Sequence, residues 1–164
     1  MTQPVVGPAE AVIALLREID ASVATAESLT GGLVCAALVA VPGASDVVRG
    51  GIVAYTADAK TDVLGVAPDL IARYGTVDEH VVASMANAVR RRFGSTYGLA
   101  TTGVAGPDPG EGKPVGTVHC AIAGPEGTDS YLLALAGDRD TIRNSTVDEL
   151  LSRFVDRVRE ESRS

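Results

Sequence analysis

Tryptophan is absent from this chain of 164 residues, and aromatic residues of all kinds make up only 4% of it. A core with so few aromatics has to be filled by alanine, valine, leucine and glycine, which are abundant here. Small side chains of this kind favour helices packed closely on a sheet over the aromatic-rich cores of many barrels and sandwiches. The composition therefore indicates an α/β protein.

Cysteine and histidine are equally scarce, with two residues of each. Cys35 falls in an apolar helical stretch and Cys120 in an expected buried strand, so we expect two reduced thiols, as is typical of a cytoplasmic protein. His80 and His119 are far apart in the chain, and neither has a partner at the spacing of a metal site. We therefore expect no bound metal.

Positive charge is in deficit, with 14 Lys and Arg against 21 Asp and Glu and a formal net charge of -7. Such a balance argues against a nucleic-acid surface, which needs clustered cations to contact phosphates. No apolar run approaches membrane-spanning length, and residues 1–7 lack the charged and apolar regions of a secretory signal. We expect a cytoplasmic protein with neither a membrane nor a nucleic-acid partner.

Apolar periodicity predicts alternating helices and strands over the whole chain. The expected helices are 8–20, 33–41, 57–64, 76–94 and 138–161, and the expected strands are 21–26, 50–56, 97–102, 115–123 and 130–136. Turn residues 124–127 predict a hairpin, and Thr76 and Glu79 have capping-box spacing. We expect a single domain, 1–164, folded as a three-layer α/β/α sandwich with a mixed, mainly parallel sheet of about five to six strands.

Ser28 falls between the first strand and the second helix, and it is followed by Thr30, Gly31 and Gly32. Unpaired N–H groups at a helix start can receive an oxyanion or a phosphate. The same stretch is equally typical of a Ser or Thr cap with glycines that allow close packing. On this stretch alone both interpretations stay open.

Tyr55 and Lys60 straddle the next junction between a strand and a helix. A neutral lysine can take the proton of a serine hydroxyl, so acyl transfer without a histidine is chemically open to this chain. The lysine pKa must then fall by roughly three units from about 10.4, which burial or a positive helix end favours. Taken alone the pair is commonplace, and Ser45, in a Pro-Gly-Ala-Ser turn, is an alternative nucleophile.

A loop rich in glycine and proline, residues 101–114, follows the third strand. It matches neither the P-loop nor the dinucleotide spacing of glycines. Its backbone N–H groups and the hydroxyls of Thr101 and Thr102 could hold a small anion, and Arg139 or Arg143 could reach a phosphate. An irregular connector of this composition is an equally good interpretation of the residues.

Several blocks taken together closely resemble the CinA C-terminal domain family, the nicotinamide mononucleotide deamidases also called PncC. The blocks are Thr25–Gly32, Pro42–Ser45, Gly50–Tyr55, Lys60, Leu64–Val66, Thr102–Pro107 and Lys113–Val118. They follow the family's order across most of the chain, which is far more specific than any one motif. Leu29, where many relatives have Cys, and a second proline in the glycine-rich loop, Pro109, depart from the family pattern.

The resemblance implies hydrolysis of the carboxamide of nicotinamide mononucleotide to nicotinic acid mononucleotide and ammonia, without a cofactor, in pyridine nucleotide recycling. It implies that Ser28 is the nucleophile and that Lys60, working with Tyr55, moves the protons. The backbone N–H groups around Thr30 to Gly32 would stabilise the oxyanion. The substrate-binding set that it implies is Thr30, Gly31, Gly32, Ser45, Thr102, Gly103, Ala105, Gly106 and Arg143.

Two further expectations follow from the resemblance, together with two competing interpretations. We expect the stand-alone form, without the larger N-terminal domain of full-length CinA proteins, and a homodimer or higher homo-oligomer. A catalytically silent nucleotide-binding or regulatory module would retain the same pocket. A DNA-damage or competence factor that binds DNA has little support, because no basic groove is visible in the sequence.

Overall fold

The computed structural model of the chain describes residues 6–164. The helices are α1 (Pro8–Glu18), α2 (Leu33–Val39), α3 (Ala57–Leu64), α4 (Pro68–Tyr74), α5 (Glu79–Phe93) and α6 (Arg139–Glu161). The strands are β1 (Val23–Glu27), β2 (Val48–Val53), β3 (Tyr97–Gly103), β4 (Thr117–Gly124) and β5 (Gly127–Ala134), and Ala44–Asp46 form a 3-10 turn. Every predicted helix and strand is present, with ends displaced by a few residues.

The five strands form one sheet in the order β2-β1-β3-β4-β5. β1 is parallel to β2 and β3, whereas β4 is antiparallel to both of its neighbours. Four strands therefore run in one direction and one against them, which confirms the expected mixed sheet of an α/β fold. After β1 the chain continues to β2 on one side, and after β3 it continues to β4 on the other side, so the strand order reverses between β1 and β3. Ligands commonly bind beyond the carboxyl ends of the strands at such a switch point.

Helices cover both faces of the sheet. α1, α2 and α6 pack on one face, and α3, α4 and α5 on the other. The strands present small residues to α5, among them Ala24, Ala100 and Gly98. A Cβ atom at Gly98 would lie 2.2 Å from the carbonyl oxygen of Ala86 in α5. Small side chains thus let α5 lie close to the sheet, as the composition predicts.

Two features differ from the sequence prediction. α4 was not predicted, because it is only seven residues long and its two apolar side chains, Leu70 and Ile71, give no periodicity. The prediction of a capping box at Thr76 and Glu79 is wrong. The N-cap of α5 is Asp78, whose carboxylate accepts a hydrogen bond from the His80 N–H. The predicted hairpin is confirmed, since β4 pairs antiparallel with β5 up to Gly124 and Gly127.

Neither cysteine forms a disulfide. Cys35 and Cys120 are both free, and burial raises the pKa of the Cys120 thiol to about 12, so it stays protonated. Over residues 6–164, the helices are too short or too polar to cross a membrane. In the same range, no three His, Cys, Asp or Glu side chains are grouped as a metal site requires.

Candidate active site

Ser28 is the first residue after β1, at the switch point of the sheet. Its N–H donates to the Thr101 carbonyl oxygen of β3 at 3.1 Å, and the Thr101 and Thr30 hydroxyls are hydrogen-bonded at 2.8 Å. Gly31 and Gly32 have φ angles of +55° and +102°, a region that residues with side chains rarely adopt. The turn is therefore held firmly against β3, and Ser28 lies in it only 6% exposed.

The start of α2 is held by a carboxylate that the sequence prediction missed. Glu27, 1% exposed, accepts from the N–H groups of Val34 at 2.8 Å and Cys35 at 3.0 Å. A carboxylate at a helix start satisfies unpaired N–H groups and interacts favourably with the helix dipole. Neither Ser28 nor Thr30 caps the helix, so the interpretation of this stretch as a Ser or Thr cap is wrong. The hydroxyl of Ser28 is left for another partner.

That partner is Lys60, which α3 places behind Ser28. The helix begins after Thr56, whose hydroxyl accepts from the Ala59 N–H at 3.1 Å, and Lys60 lies on its inner face, 1% exposed. The Lys60 Nζ is 3.0 Å from the Ser28 Oγ. It also donates to the carbonyl oxygens of Ala54 at 3.0 Å and Tyr55 at 3.3 Å.

Burial lowers the pKa of Lys60 to about 8, because a dry environment disfavours the charged ammonium, while the negative charge of Glu111 acts in the opposite direction. A neutral amine has two N–H groups and one lone pair. The carbonyls of Ala54 and Tyr55 can take both N–H groups, which directs the lone pair at the Ser28 hydroxyl. The charged form has a third N–H to donate to the same Oγ, so one geometry serves both protonation states.

A cavity of about 300 Å³ opens in front of Ser28. Six of the predicted site residues line it: Ser28, Tyr55, Thr102, Gly103, Ala105 and Gly106. Thr76, Val77, Asp108 and Arg139 complete the lining together with Leu29 and Val104. A larger hollow of about 570 Å³ between α1 and α6 contains none of the predicted site residues. The chemistry-bearing groups are therefore gathered at the smaller cavity.

Arg139 supplies the positive charge of this cavity. Its guanidinium donates to the Gly106 carbonyl oxygen at 2.6 Å and to the Tyr55 hydroxyl at 3.0 Å. It forms no ion pair with a carboxylate anywhere in residues 6–164. Its charge is therefore not offset by a directly paired carboxylate, although Asp108 lines the same cavity.

Arg143, the arginine preferred from the sequence, has a different place. It donates to the carbonyl oxygens of Leu29 at 2.9 Å and Thr30 at 3.4 Å, and it lies 3.7 Å from Asp140. Arg143 does not line the cavity and instead holds the turn that carries Ser28 from outside. Of the two arginines considered from the sequence, Arg139 is the one that lines the cavity.

Two other predicted residues are placed differently from their expected roles. The Tyr55 side chain is 59% exposed, and its hydroxyl contacts Arg139; only its backbone carbonyl meets Lys60. Ser45 lies in the 3-10 turn before β2, at the N-terminal ends of the parallel strands, whereas Ser28 lies at their carboxyl ends. Within one chain, Ser45 therefore neither lines the cavity nor serves as the alternative nucleophile.

The hydroxyls of the predicted threonines have partners within the protein. Thr102 Oγ1 donates to the Thr76 carbonyl oxygen at 2.8 Å, and the Thr30 hydroxyl is bound to Thr101. The Gly31 N–H donates to the Ser28 carbonyl oxygen at 3.0 Å. Within the part of the chain that the structure describes, the N–H groups of Leu29, Thr30 and Gly32 have no acceptor. Of these three residues only Leu29 lines the cavity, and Thr30 is fully buried, so the Leu29 N–H is the unpaired donor that borders the cavity.

The sequence prediction also missed the wall formed by Thr76 and Val77, together with Glu111 that contacts it. The residues were assigned to a helix cap and to a loop of undefined shape. A contact between positions so far apart in the chain has no periodic signal. Glu27, by contrast, directly precedes Ser28, and its acidity in an otherwise apolar strand was a usable signal.

The sequence model of the CinA C-terminal domain family matches residues 7–158 of this chain. A CinA-like protein of Frankia casuarinae is 52% identical over 136 residues, which are 83% of this chain and 31% of that protein. A CinA-like protein of Anaeromyxobacter sp. is 47% identical over 144 residues, 87% of this chain and 35% of that protein. The chain thus spans about a third of the length of these curated relatives.

Solved structures share the fold over nearly their whole length. The competence/damage inducible protein CihA from Agrobacterium tumefaciens is 36% identical with a TM-score of 0.87, and the match covers 90% of this chain and 92% of that one. A competence-damaged protein (CinA) superfamily protein from Enterobacter cloacae is 30% identical with a TM-score of 0.90, and the match covers 96% of both chains.

Proposed function

The chain belongs to the CinA C-terminal domain family, and from this premise we propose that it hydrolyses the carboxamide of nicotinamide mononucleotide to nicotinic acid mononucleotide and ammonia. The observation that carries the proposal is the buried Lys60 with its Nζ 3.0 Å from the Ser28 Oγ. A lysine of lowered pKa beside a serine is the minimum set for acyl transfer without histidine. The rest of the cavity supports the same reaction.

Lys60 acts first as the general base. In its neutral form it takes the proton of the Ser28 hydroxyl while the Oγ attacks the carboxamide carbon. At pH 7 a lysine of pKa about 8 is neutral in about a tenth of the molecules. Attack leaves a tetrahedral intermediate whose oxyanion accepts from an unpaired N–H group of the turn, for which we nominate Leu29 because it lines the cavity. One such donor is worth about 3 to 4 kcal/mol in other enzymes.

The protonated Lys60 then completes both halves of the reaction. It passes its proton to the amide nitrogen, the C–N bond breaks, and ammonia leaves an ester on Ser28. Water attacks this ester with Lys60 again as the base, and the Ser28 Oγ recovers a proton as the acid departs. Throughout, the carbonyls of Ala54 and Tyr55 keep the amine in place.

Arg139 is our candidate for the phosphate of the substrate. Its guanidinium lines the cavity without a carboxylate partner, and bidentate contacts from arginine are well suited to phosphate oxygens. Gly103, Ala105 and Gly106 offer a backbone surface with little side-chain bulk, on which the ribose can lie. On a protein of net charge -7, such a local cation offsets the general repulsion of an anion.

Ammonia and nicotinic acid mononucleotide release by the native protein, Ser28→Ala, Lys60→Met and Ser45→Ala tests the proposal. We expect kcat/KM to fall by about a thousandfold or more for Ser28→Ala and Lys60→Met, because each removes a group that acts in the transition state. Ser45→Ala is the control: it makes the same change at the opposite end of the parallel strands, and we expect native activity.

Each other result has a definite meaning. A folded native protein that releases no ammonia would contradict the proposal that the protein hydrolyses this substrate. If nicotinamide mononucleotide still raised the Tm of that inactive protein, the hypothesis of a catalytically silent nucleotide-binding module would replace the enzyme hypothesis. Full activity of Ser28→Ala would exclude Ser28 as the nucleophile.

A further inference from the structure

The tip of the glycine-rich loop is folded back on itself. Gly110 and Lys113 form an antiparallel bridge, with reciprocal N–H to carbonyl distances of 3.2 and 2.9 Å. Glu111 and Gly112 at the turn have φ angles of +52° and +71°. A positive φ is expected of glycine but is strained for glutamate, and such strain persists only where the surroundings enforce it. The contacts of the Glu111 side chain show what enforces it.

The Glu111 carboxylate holds the backbone of residues 76–77. Both of its oxygens are 3.0 Å from the Thr76 N–H, and they also accept from the Thr76 hydroxyl at 2.6 Å and the Val77 N–H at 3.1 Å. Partial burial alone would raise the pKa of Glu111, but these hydrogen bonds outweigh it and the pKa lies below its ordinary value. The carboxylate is therefore charged at neutral pH, and its hydrogen bonds are of the stronger, charge-assisted kind.

The carbonyl groups of the same segment are held as well. Lys113 Nζ donates to the Val77 carbonyl oxygen, and Thr102 Oγ1 donates to that of Thr76. Gly75 makes the approach of Glu111 feasible, because a Cβ atom there would lie only 2.6 Å from the Glu111 Oε2. Residues 75–77 thus receive contacts on their N–H and carbonyl groups from β3 and from the loop tip.

This segment is one wall of the cavity in front of Ser28, since Thr76 and Val77 both line it. We propose that Glu111 is a positioning residue, which holds residues 75–77 as a cavity wall and so sets the affinity for substrate but not the rate of the bond-making steps. The inference rests on the proposed function for the identity of the substrate. The contact of Ser28 with Lys60 is formed by β1 and α3, and it does not depend on the loop tip.

The variants Glu111→Gly, Glu111→Gln and Glu126→Gly separate this role from a general effect on stability. Glycine at 111 removes the carboxylate and relieves the positive φ, so its loss of Tm is smaller than that of Glu111→Ala. Gln at 111 keeps one of the two acceptor oxygens, so we expect its amide exchange rates and its KM to lie between those of the native protein and those of Glu111→Gly. Glu126, exposed in the turn between β4 and β5, carries the same charge far from the cavity and serves as the matched control.

Two readouts are compared: hydrogen exchange of the Thr76 and Val77 amides, and kcat and KM for nicotinamide mononucleotide. For Glu111→Gly we expect these amides to exchange about tenfold faster or more, and KM to rise about tenfold with kcat within about threefold of native. The kinetics are compared on the pH plateau where Lys60 is fully neutral, because loss of the Glu111 charge also lowers the pKa of Lys60. Glu126→Gly changes neither.

Unchanged exchange at Thr76 and Val77 would overturn the proposal, and so would faster exchange with an unchanged KM. If kcat and Tm fell in parallel in both variants at position 111, the role of Glu111 would be purely structural, and this result would also overturn the proposal. If the native protein releases no ammonia, the proposed function fails, whereas the exchange measurement still decides whether Glu111 holds the wall.

Discussion

Lys60 combines two properties that rarely occur together, full burial and a position within hydrogen-bond distance of a serine hydroxyl. Burial lowers its pKa to about 8 from 10.5, a change of about 2.5 units that corresponds to about 3 kcal/mol. Because the unfolded state binds the proton more tightly, the penalty on folding is complete below pH 8 and disappears as the pH rises towards 10.5. The fold thus tolerates a destabilising residue in order to hold a neutral amine.

The pH dependence of the reaction follows from the same pKa. Neutral Lys60 is the active form, so kcat/KM should rise about tenfold per pH unit below pH 8 and level off above it, with a midpoint near the pKa of about 8. Ammonia release measured from about pH 6 to about pH 10 checks this. In Glu111→Gln the midpoint should move to lower pH, because loss of the negative charge removes an influence that raises the Lys60 pKa. A flat profile over this range would exclude Lys60 as the base.

Arg139 and Arg143 offer a second test, since only one of them lines the cavity. Arg139→Met should lower kcat/KM for nicotinamide mononucleotide by about 10- to 100-fold, the loss expected for a charge-assisted contact. It should leave hydrolysis of nicotinamide riboside, which has no phosphate, at the native rate.

Arg143→Met should instead slow both substrates alike, because Arg143 holds the carbonyl of Leu29 beside the nucleophile. Steady-state kinetics with the two substrates decides between these effects. Equal losses on both substrates in Arg139→Met would contradict the phosphate assignment.

Among the elements, α5 lies close against the sheet at β3. Gly98 in β3 faces the backbone of α5, and a Cβ atom there would also lie 2.9 Å from the Arg90 Cβ. Neither neighbour is the movable end of a side chain, so the helix as a whole would have to shift. The spacing between α5 and the sheet therefore depends on the absence of a side chain at this position.

Gly98→Ala should lower the free energy of unfolding by about 1 to 3 kcal/mol, the usual range for an overpacked core. Chemical denaturation at constant m-value measures this loss. Gly110→Ala is the matched control, because its added Cβ would meet only Val104, at 3.6 Å and beyond. A Gly98→Ala protein as stable as the native one would show that α5 can move away from the sheet at no cost.

The link between α4 and α5 shows why a local pattern was misleading. Thr76 and Glu79 have the spacing of a capping box, and a rule based on neighbouring residues predicts that Thr76 caps the helix. The Thr76 hydroxyl is instead bound to Glu111, 35 residues further along the chain, and Asp78 caps α5. A charged acceptor brought in by the tertiary fold displaces the local partner.

At the scale of the whole molecule, the site is a product of the strand order. Ser28 follows β1, Lys60 follows β2 and the glycine-rich loop follows β3. Because these three neighbouring strands are parallel, their carboxyl ends lie at the same end of the sheet. The family's curated members carry about twice as much additional chain. The residues that form the site all lie within residues 7–158, which the family's sequence model matches. The expected self-association of the chain stays a prediction.

The sequence by itself determined the family and the α/β class with its mixed sheet, and it singled out Ser28 and Lys60 as candidates, because these depend on local patterns and on blocks in a fixed order. It did not determine which arginine lines the cavity, where the Tyr55 hydroxyl points, or that Ser45 lies at the opposite end of the parallel strands from Ser28. Those were decided by the tertiary structure, because the direction and partners of a side chain depend on residues distant in sequence.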